Sequence, residues 1–198
     1  MKSRIAVLAS GSGTNLQAII DHLSRKGAPG AQVVVVASNR PDAGALERAR
    51  KHGVAAEVFD ATDDGAALVE VLERHSAQIV ALAGYLKRIP PLVTRRFRGR
   101  IINVHPGLLP HFGGRGMYGS RVHAAVLASG ATTTGVTVHF VDDEYDHGAV
   151  IAQWPVRVRV DDTPETLADR VLEAEHIVYP RVIEMIAALD DAGLSADF

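Results

Sequence analysis

Not one of the 198 residues is a cysteine. That excludes disulfides, a thiolate nucleophile and zinc–thiolate sites, and it fits a cytoplasmic setting. No apolar run approaches the roughly 18 residues of a membrane span, so no membrane partner is expected. The opening residues, Met1-Lys2-Ser3-Arg4-Ile5, enter a strand at once and lack the n-region, apolar stretch and cleavage site of a signal peptide. An excess of either charge is missing too. The formal net charge is −2, which leaves no basic field for nucleic acid or an anionic membrane. Repeats, low-complexity tracts and obvious linkers are absent. What is present is an ordinary globular composition, 47% hydrophobic and 22% charged, in a length that suits a single domain with a sizeable core.

Apolar patterning predicts strands alternating with helices. Strands are expected at Arg4 to Ala9, Val33 to Ala37, Ala56 to Phe59, Ile79 to Ala83 and Ile101 to Val104. Helices are expected from Asn15 to about Arg25, Ala43 to His52, Asp64 to His75 and Pro91 to Arg96. This alternation implies α/β architecture around a doubly wound, mostly parallel, Rossmann-like sheet. The later part differs. A helix near Ser120 to Ala128 is followed by two strands, Thr133 to Val141 and Ala149 to Val158, forming a hairpin. A long final helix then has Thr163 as N-cap and Pro164 at its first position, with Pro180 expected to kink it.

The run Ile101-Ile102-Asn103-Val104-His105-Pro106-Gly107-Leu108-Leu109-Pro110 carries the most information. Side chains at i and i+2 of a strand share a face, so Asn103 and His105 project together, and Pro106 stops regular pairing after them. Ligands of open α/β sheets sit at the carboxyl ends of the strands. An amide there can hold a developing oxyanion while an imidazole manages a proton. The bland alternative is a turn-capping asparagine beside a half-buried histidine. About forty residues later, the strand Gly135 to Val141 runs into the acidic turn Asp142-Asp143-Glu144-Tyr145-Asp146-His147-Gly148. A carboxylate from this turn, facing the Asn103/His105 pair, would set the state of the imidazole. His139, two residues before Val141, reads as a packing residue.

Gly11-Ser12-Gly13-Thr14-Asn15 follows the first strand and opens the first helix. Glycine lets backbone approach an anion, and helix-terminal N–H groups point at it. The third glycine of a dinucleotide loop is missing, since Leu16 and Gln17 stand there. The second strand ends in Ser38-Asn39-Arg40, without the acid that binds an adenosine ribose. A small phosphomonoester therefore suits the loop better than a dinucleotide, with a plain tight turn as the structural alternative.

Together, Asn103 to Pro110 and Gly135 to Gly148 resemble the folate-dependent formyltransferase family, whose patterns N-[IV]-H-P-x-L-L-P and G-x-T-x-[HF]-x-V-x-x-x-x-D-x-G are both present in order. Ala9 to Ile19, Val80 to Tyr85 and Glu173 to Pro180 extend the resemblance along essentially the whole chain. They point within the family to the members that formylate glycinamide ribonucleotide in purine synthesis. The resemblance implies a single formyltransferase domain over residues 1–198, with a phosphate-binding part at about 1–105 and a folate-binding and catalytic part at about 80–198. It implies 10-formyltetrahydrofolate as formyl donor, small-molecule substrates, no metal, and a monomer or homodimer. It assigns catalysis to Asn103, His105 and Asp146. It assigns the ribose phosphate to Gly13, Thr14 and Asn15, the substrate amine to Glu175, and the folate to Leu86, Lys87, Arg88, Ile89, Asn103, Val141 and Asp142.

The chain departs from some relatives in two places. Lys87-Arg88-Ile89-Pro90-Pro91 is one residue shorter, and Asp60 to Gly65 lacks an arginine that reaches the ligands there. Phe112 to Gly119 holds four glycines in eight residues. It reads either as a loose connection or as a flap over the site that brings Arg115 to a phosphate.

Overall fold

A computed structural model describes residues 2–25 and 30–191. The elements, in chain order, are β1 (Ser3–Leu8), α1 (Thr14–Leu23), β2 (Ala31–Ser38), α2 (Gly44–Lys51), β3 (Ala55–Val58), α3 (Ala66–Arg74), β4 (Ile79–Leu82), α4 (Pro91–Arg96), β5 (Ile101–His105), α5 (Ser120–Ala128), β6 (Thr133–Phe140), β7 (Val150–Arg157) and α6 (Pro164–Asp191). Every element read from the apolar pattern is present, with ends shifted by a residue or two.

The strands form one sheet in the order β3-β2-β1-β4-β5-β6-β7. β1 to β5 run parallel, and β6 and β7 pair antiparallel as the hairpin. The alternation of side chains across the pleat splits the core between the two faces of the sheet. Ile5, Val7, Ile79 and Ala81 pack with residues of α1, α2, α5 and α6. Ala6, Leu8, Val80 and Leu82 face α3 and α4. Both faces of the central strands are buried, which is why β1 and β4 read as continuous apolar runs rather than alternating ones.

β1 connects outward to β2 on one side, while β4 continues on the other, so the sheet changes direction between β1 and β4. The crevice beyond their carboxyl ends is where such sheets bind ligands. α6 crosses behind it. Thr163 caps the helix as expected: its Oγ1 accepts from Thr166 N at 3.3 Å, and Thr163 N donates back to Thr166 Oγ1 at 2.9 Å. Pro180 removes one backbone donor, yet the helix runs through it to Asp191. Tyr179 is fully buried with its hydroxyl 3.0 Å from the carbonyls of both Leu82 and Ile102, so it ties α6 to β4 and β5. One turn earlier on the same face, that anchor delivers Glu175 to the crevice.

Candidate active site

A cavity of about 600 Å³ opens at the carboxyl ends of β4 and β5. Asn103 and His105 project into it from β5, as the i, i+2 spacing requires. The loop after His105 is held from the hairpin. Thr137 Oγ1, fully buried on β6, donates to Gly107 O at 2.6 Å and accepts from Leu109 N at 3.0 Å. Gln153 Nε2 on β7 donates to Thr137 Oγ1 at 3.0 Å and to Leu109 O at 2.9 Å. His105 therefore sits at the end of a rigid strand whose continuation is fixed on two sides.

The acidic turn brings Asp146 to the pair. Its backbone takes the left-handed conformation, φ 54°, and its carboxylate accepts from Gly114 N at 2.9 Å. Asp146 Oδ2 lies 3.5 Å from His105 Nδ1. On the far side of the ring, His105 Nε2 is 2.9 Å from Phe112 O. A carbonyl only accepts, so Nε2 carries a hydrogen and Nδ1 is left to exchange a proton beside the carboxylate.

Asp146 does favour the imidazolium form of His105, as a carboxylate facing the ring should, but it does not prevail. Burial pushes the His105 pKa down and wins; Asp146 and the Phe112 carbonyl pull it up without compensating, and His139 adds to the lowering. His105 is only 3% exposed, so the cost of desolvating an imidazolium outweighs one carboxylate at 3.5 Å. Asp146 goes the other way. Burial opposes its ionisation, but the neighbouring His139 and His105 rings and the Gly114 N–H hold its pKa below the ordinary aspartate value. At neutral pH the pair is a carboxylate beside a mainly neutral imidazole.

His139 also joins the site, against its reading as a packing residue. It is buried, lines the cavity and sits directly across the ladder from Asn103. His123 of α5 is a second residue the sequence did not single out. It lines the same cavity, and its buried Nδ1 has no hydrogen-bond partner. Its position follows the regular apolar face of α5, so nothing in the sequence distinguishes it from core. Helical spacing places Val122, His123 and Val126 among the buried residues of that helix.

Glu175 and Asn15 form the opposite wall. Asn15 Nδ2 donates to Glu175 Oε2 at 2.6 Å, deep in the interior. Burial raises the Glu175 pKa to about 7, with the Asn15 hydrogen bond opposing part of the rise. Its carboxyl thus changes charge near neutrality, whereas an ordinary helix glutamate is fully ionised there. The segment after Gly84 supplies the rim: Leu86, Lys87, Arg88 and Ile89 all line the cavity, as do Val141 and Asp142 across from them. Arg88 Nη2 donates to the Asp143 carbonyl and fastens the two rims together. His147, by contrast, is exposed and pairs with Asp142 at 2.9 Å. The glycine-rich loop closes the remaining side through Gly114 to Gly119, with Arg115 in the lining. Phe112 O and Gly114 N anchor it to His105 and Asp146.

Gly13 and Thr14 are not among the cavity-lining residues; of that loop only Asn15 is. Gly13 instead meets α2. Its φ is +76°, and a Cβ there would stand 2.8 Å from Ala45 Cα. Ala45 N donates to Gly11 O, and Arg48 Nε to Ser12 O at 2.8 Å, completing the docking. Left-handed backbone and overpacking both penalise a side chain. Gly13→Ala is therefore expected to cost roughly 2–5 kcal/mol of stability, measured as a lower urea midpoint with unchanged slope. Unaltered stability would mean that close packing is not what requires glycine there.

Residues 3–183 match the formyl transferase family. This chain belongs to that family. This formyl transferase is 45% identical over 192 residues to the chloroplastic phosphoribosylglycinamide formyltransferase of Arabidopsis thaliana, covering 93% of its own length and 65% of the plant protein. It is 41% identical over 194 residues to the trifunctional purine biosynthetic protein adenosine-3 of Bos taurus, covering 94% of its own length and 18% of that protein. The chain thus spans just under two thirds of the plant relative. Its fold is similar to the crystal structure of glycinamide ribonucleotide transformylase 1 from Symbiobacterium toebii, with a TM-score of 0.87 at 41% identity, covering 94% of this chain and 88% of that one. This formyl transferase thus shares the α/β fold class of its structural relatives, and its own sheet is seven-stranded and mixed with a long final helix. Among its described residues no helix is long and apolar enough to cross a membrane, and no cluster of three or more histidines and carboxylates is placed to hold a metal ion.

Proposed function

We propose that this protein transfers the formyl group of 10-formyltetrahydrofolate to the amine of glycinamide ribonucleotide, a step of purine biosynthesis. The observation that carries the reading is the convergence of Asn103, His105 and Asp146 in one cavity, in a chain whose relatives are named for this reaction. The formyl carbon is attacked by the neutral amine and becomes tetrahedral, with its oxygen gaining negative charge. Asn103 donates to that oxygen. The new C–N bond leaves the former amine nitrogen with a surplus proton, and the bond to the folate nitrogen must break with a proton supplied to it. His105 accepts at Nδ1 and returns the proton to the departing folate nitrogen through water. Asp146 compensates the transient imidazolium. A neutral resting imidazole suits this role, because a ring already protonated could not take the proton.

The cavity's two ends divide the substrates. Leu86 to Ile89, Val141 and Asp142 hold the folate beside Asn103. Glu175 and Asn15 hold polar groups of the amine substrate, near the ammonium that must lose its proton before attack. The Gly13-Thr14-Asn15 loop takes the ribose phosphate at the start of α1, with Asn15 at the cavity wall and Gly13 and Thr14 just outside the lining. On this reading residues 1–198 act as one formyltransferase domain, with the phosphate-binding part at about 1–105 overlapping the folate and catalytic part at about 80–198.

Incubated with 10-formyltetrahydrofolate and glycinamide ribonucleotide, the purified protein is expected to yield the N-formyl ribonucleotide, at a rate that EDTA leaves unchanged. Mass spectrometry of the products decides the matter. Release of formate without formylated ribonucleotide would make water the acceptor and the protein a hydrolase.

A further inference from the structure

We propose that His139 is a positioning residue that sets the orientation of the Asn103 amide. The inference rests on the reading of Asn103 as the oxyanion donor and goes beyond it. His139 Nδ1 lies 2.7 Å from the Phe140 carbonyl, which can only accept, so Nδ1 carries the hydrogen. In the neutral ring Nε2 is then an acceptor. Asn103 Nδ2 stands 3.1 Å from it. Only the amide's NH₂ end satisfies an acceptor, so the Asn103 side chain cannot rotate its carbonyl oxygen toward His139 without placing two lone pairs together. One amide hydrogen is committed to His139, and the other is left for the cavity that Asn103 lines.

Several features make this a lock rather than a chance contact. His139 is 2% exposed, so a lost hydrogen bond would not be replaced by bulk water, and leaving a buried polar atom unpaired is costly. Asn103 and His139 are direct partners on neighbouring strands, which fixes their separation through the backbone. The ladder to β7 also slips by one residue at His139, with Val138 facing Ala152 and His139 facing Val150. Such irregularities re-aim side chains next to active sites. Asp146 Oδ1 is the other polar atom near Nε2, at 3.6 Å, beyond hydrogen-bond reach. It would claim Nε2 only if that nitrogen carried a proton, whereas Asn103, the nearer group, bonds to the unprotonated nitrogen.

Amide orientation matters because an asparagine offers a donor on one end and an acceptor on the other. Turned the wrong way, Asn103 would present lone pairs to a developing negative charge. Misplacement of a group that acts in the transition state costs up to about 10²-fold in rate.

Three measurements test the lock. Nitrogen-15 NMR of the unmodified protein at neutral pH is expected to show His139 as the Nδ1–H tautomer with Nε2 unprotonated; an Nε2–H tautomer would overturn the proposal outright. In steady-state kinetics, His139→Leu should lower kcat by tenfold or more with little change in KM for either substrate, and His139→Gln, whose side-chain oxygen can still accept from Asn103, should recover most of the loss. Normal turnover in the leucine variant would overturn it. Should that variant not fold, the glutamine variant and the tautomer decide. Finally, in an Asn103→Ala background, replacing His139 should cost little more, and full additivity would count against the assignment. If the unmodified protein formylates no amine, the proposed function fails, while the NMR result still reports on the lock itself.

Discussion

Asn103→Ala is expected to reduce kcat by about 10²–10³, the usual consequence of removing one oxyanion donor, with KM for the folate and for the amine substrate nearly unchanged. The physical basis is differential binding. In the ground state the formyl oxygen carries little charge and the amide contributes little; in the tetrahedral state that oxygen is an anion in a largely buried site. Only interactions that strengthen on the way to the transition state raise kcat. The fold should tolerate the change, because Asn103 lies at the carboxyl end of β5 and is only partly buried. Steady-state kinetics at saturating folate measures the effect. A variant that turns over near the normal rate would leave Asn103 with a purely structural part in the loop, and a rise in KM at constant kcat would make it a binding group.

Replacing Asp146 by asparagine is expected to produce the second large effect, and to do so through His105. The amide keeps the shape of the side chain and removes its charge. Burial already holds the His105 pKa below 6.5, with Asp146 pulling the other way. In Asp146→Asn that opposing pull is gone, so the His105 titration should move to still lower pH. Activity near neutrality should fall, because the imidazolium formed during proton transfer loses its counter-charge. The sign carries over to stability. A histidine whose folded pKa is depressed contributes stability fully present above its ordinary pKa, and that contribution is lost as the pH falls through the depressed folded value. For His105 the loss therefore begins below about 6.5 and should be seen as a falling denaturant midpoint. The two residues should also be non-additive. Once His105 is alanine, removing Asp146 should cost far less than it does in the unmodified protein, as expected of groups that act as a unit. NMR titration of His105 in both backgrounds, with the kinetics of the single and double variants, measures this. An unchanged histidine titration together with additive losses would detach Asp146 from His105.

Much of this site was legible along the chain. Asn103 and His105 share a strand face by simple alternation, and their place at the carboxyl end of a parallel strand follows from the order of apolar runs. The turn carrying Asp146 is marked by its own composition, whereas Leu86 to Ile89 came only from the resemblance to the formyltransferase family. His139 was not legible as a site residue. It shares a strand face with Thr137 of β6 and with Val141 just beyond it, and a histidine between two β-branched neighbours looks like packing. His123 was equally hidden, on the buried face of a regular helix. The loop at Gly13 was legible only in part: its glycine fits an anion-binding turn in sequence, and the fold adds a second demand for glycine there, the close approach to Ala45 of α2.

By itself, the sequence determined the α/β class, the succession of elements and the face on which each reactive side chain stands. These are local consequences of periodicity, capping and turn chemistry, and they need no knowledge of partners. Only the tertiary structure decided which of those faces meet. The antiparallel register of β5 on β6 sets Asn103 opposite His139, the left-handed turn brings Asp146 within 3.5 Å of His105, and α6, anchored by Tyr179, carries Glu175 to Asn15 across 160 residues of chain. The charge states were settled there too. Whether His105 rests neutral depends on a balance between burial and one nearby carboxylate, and both are properties of the packed molecule rather than of any segment.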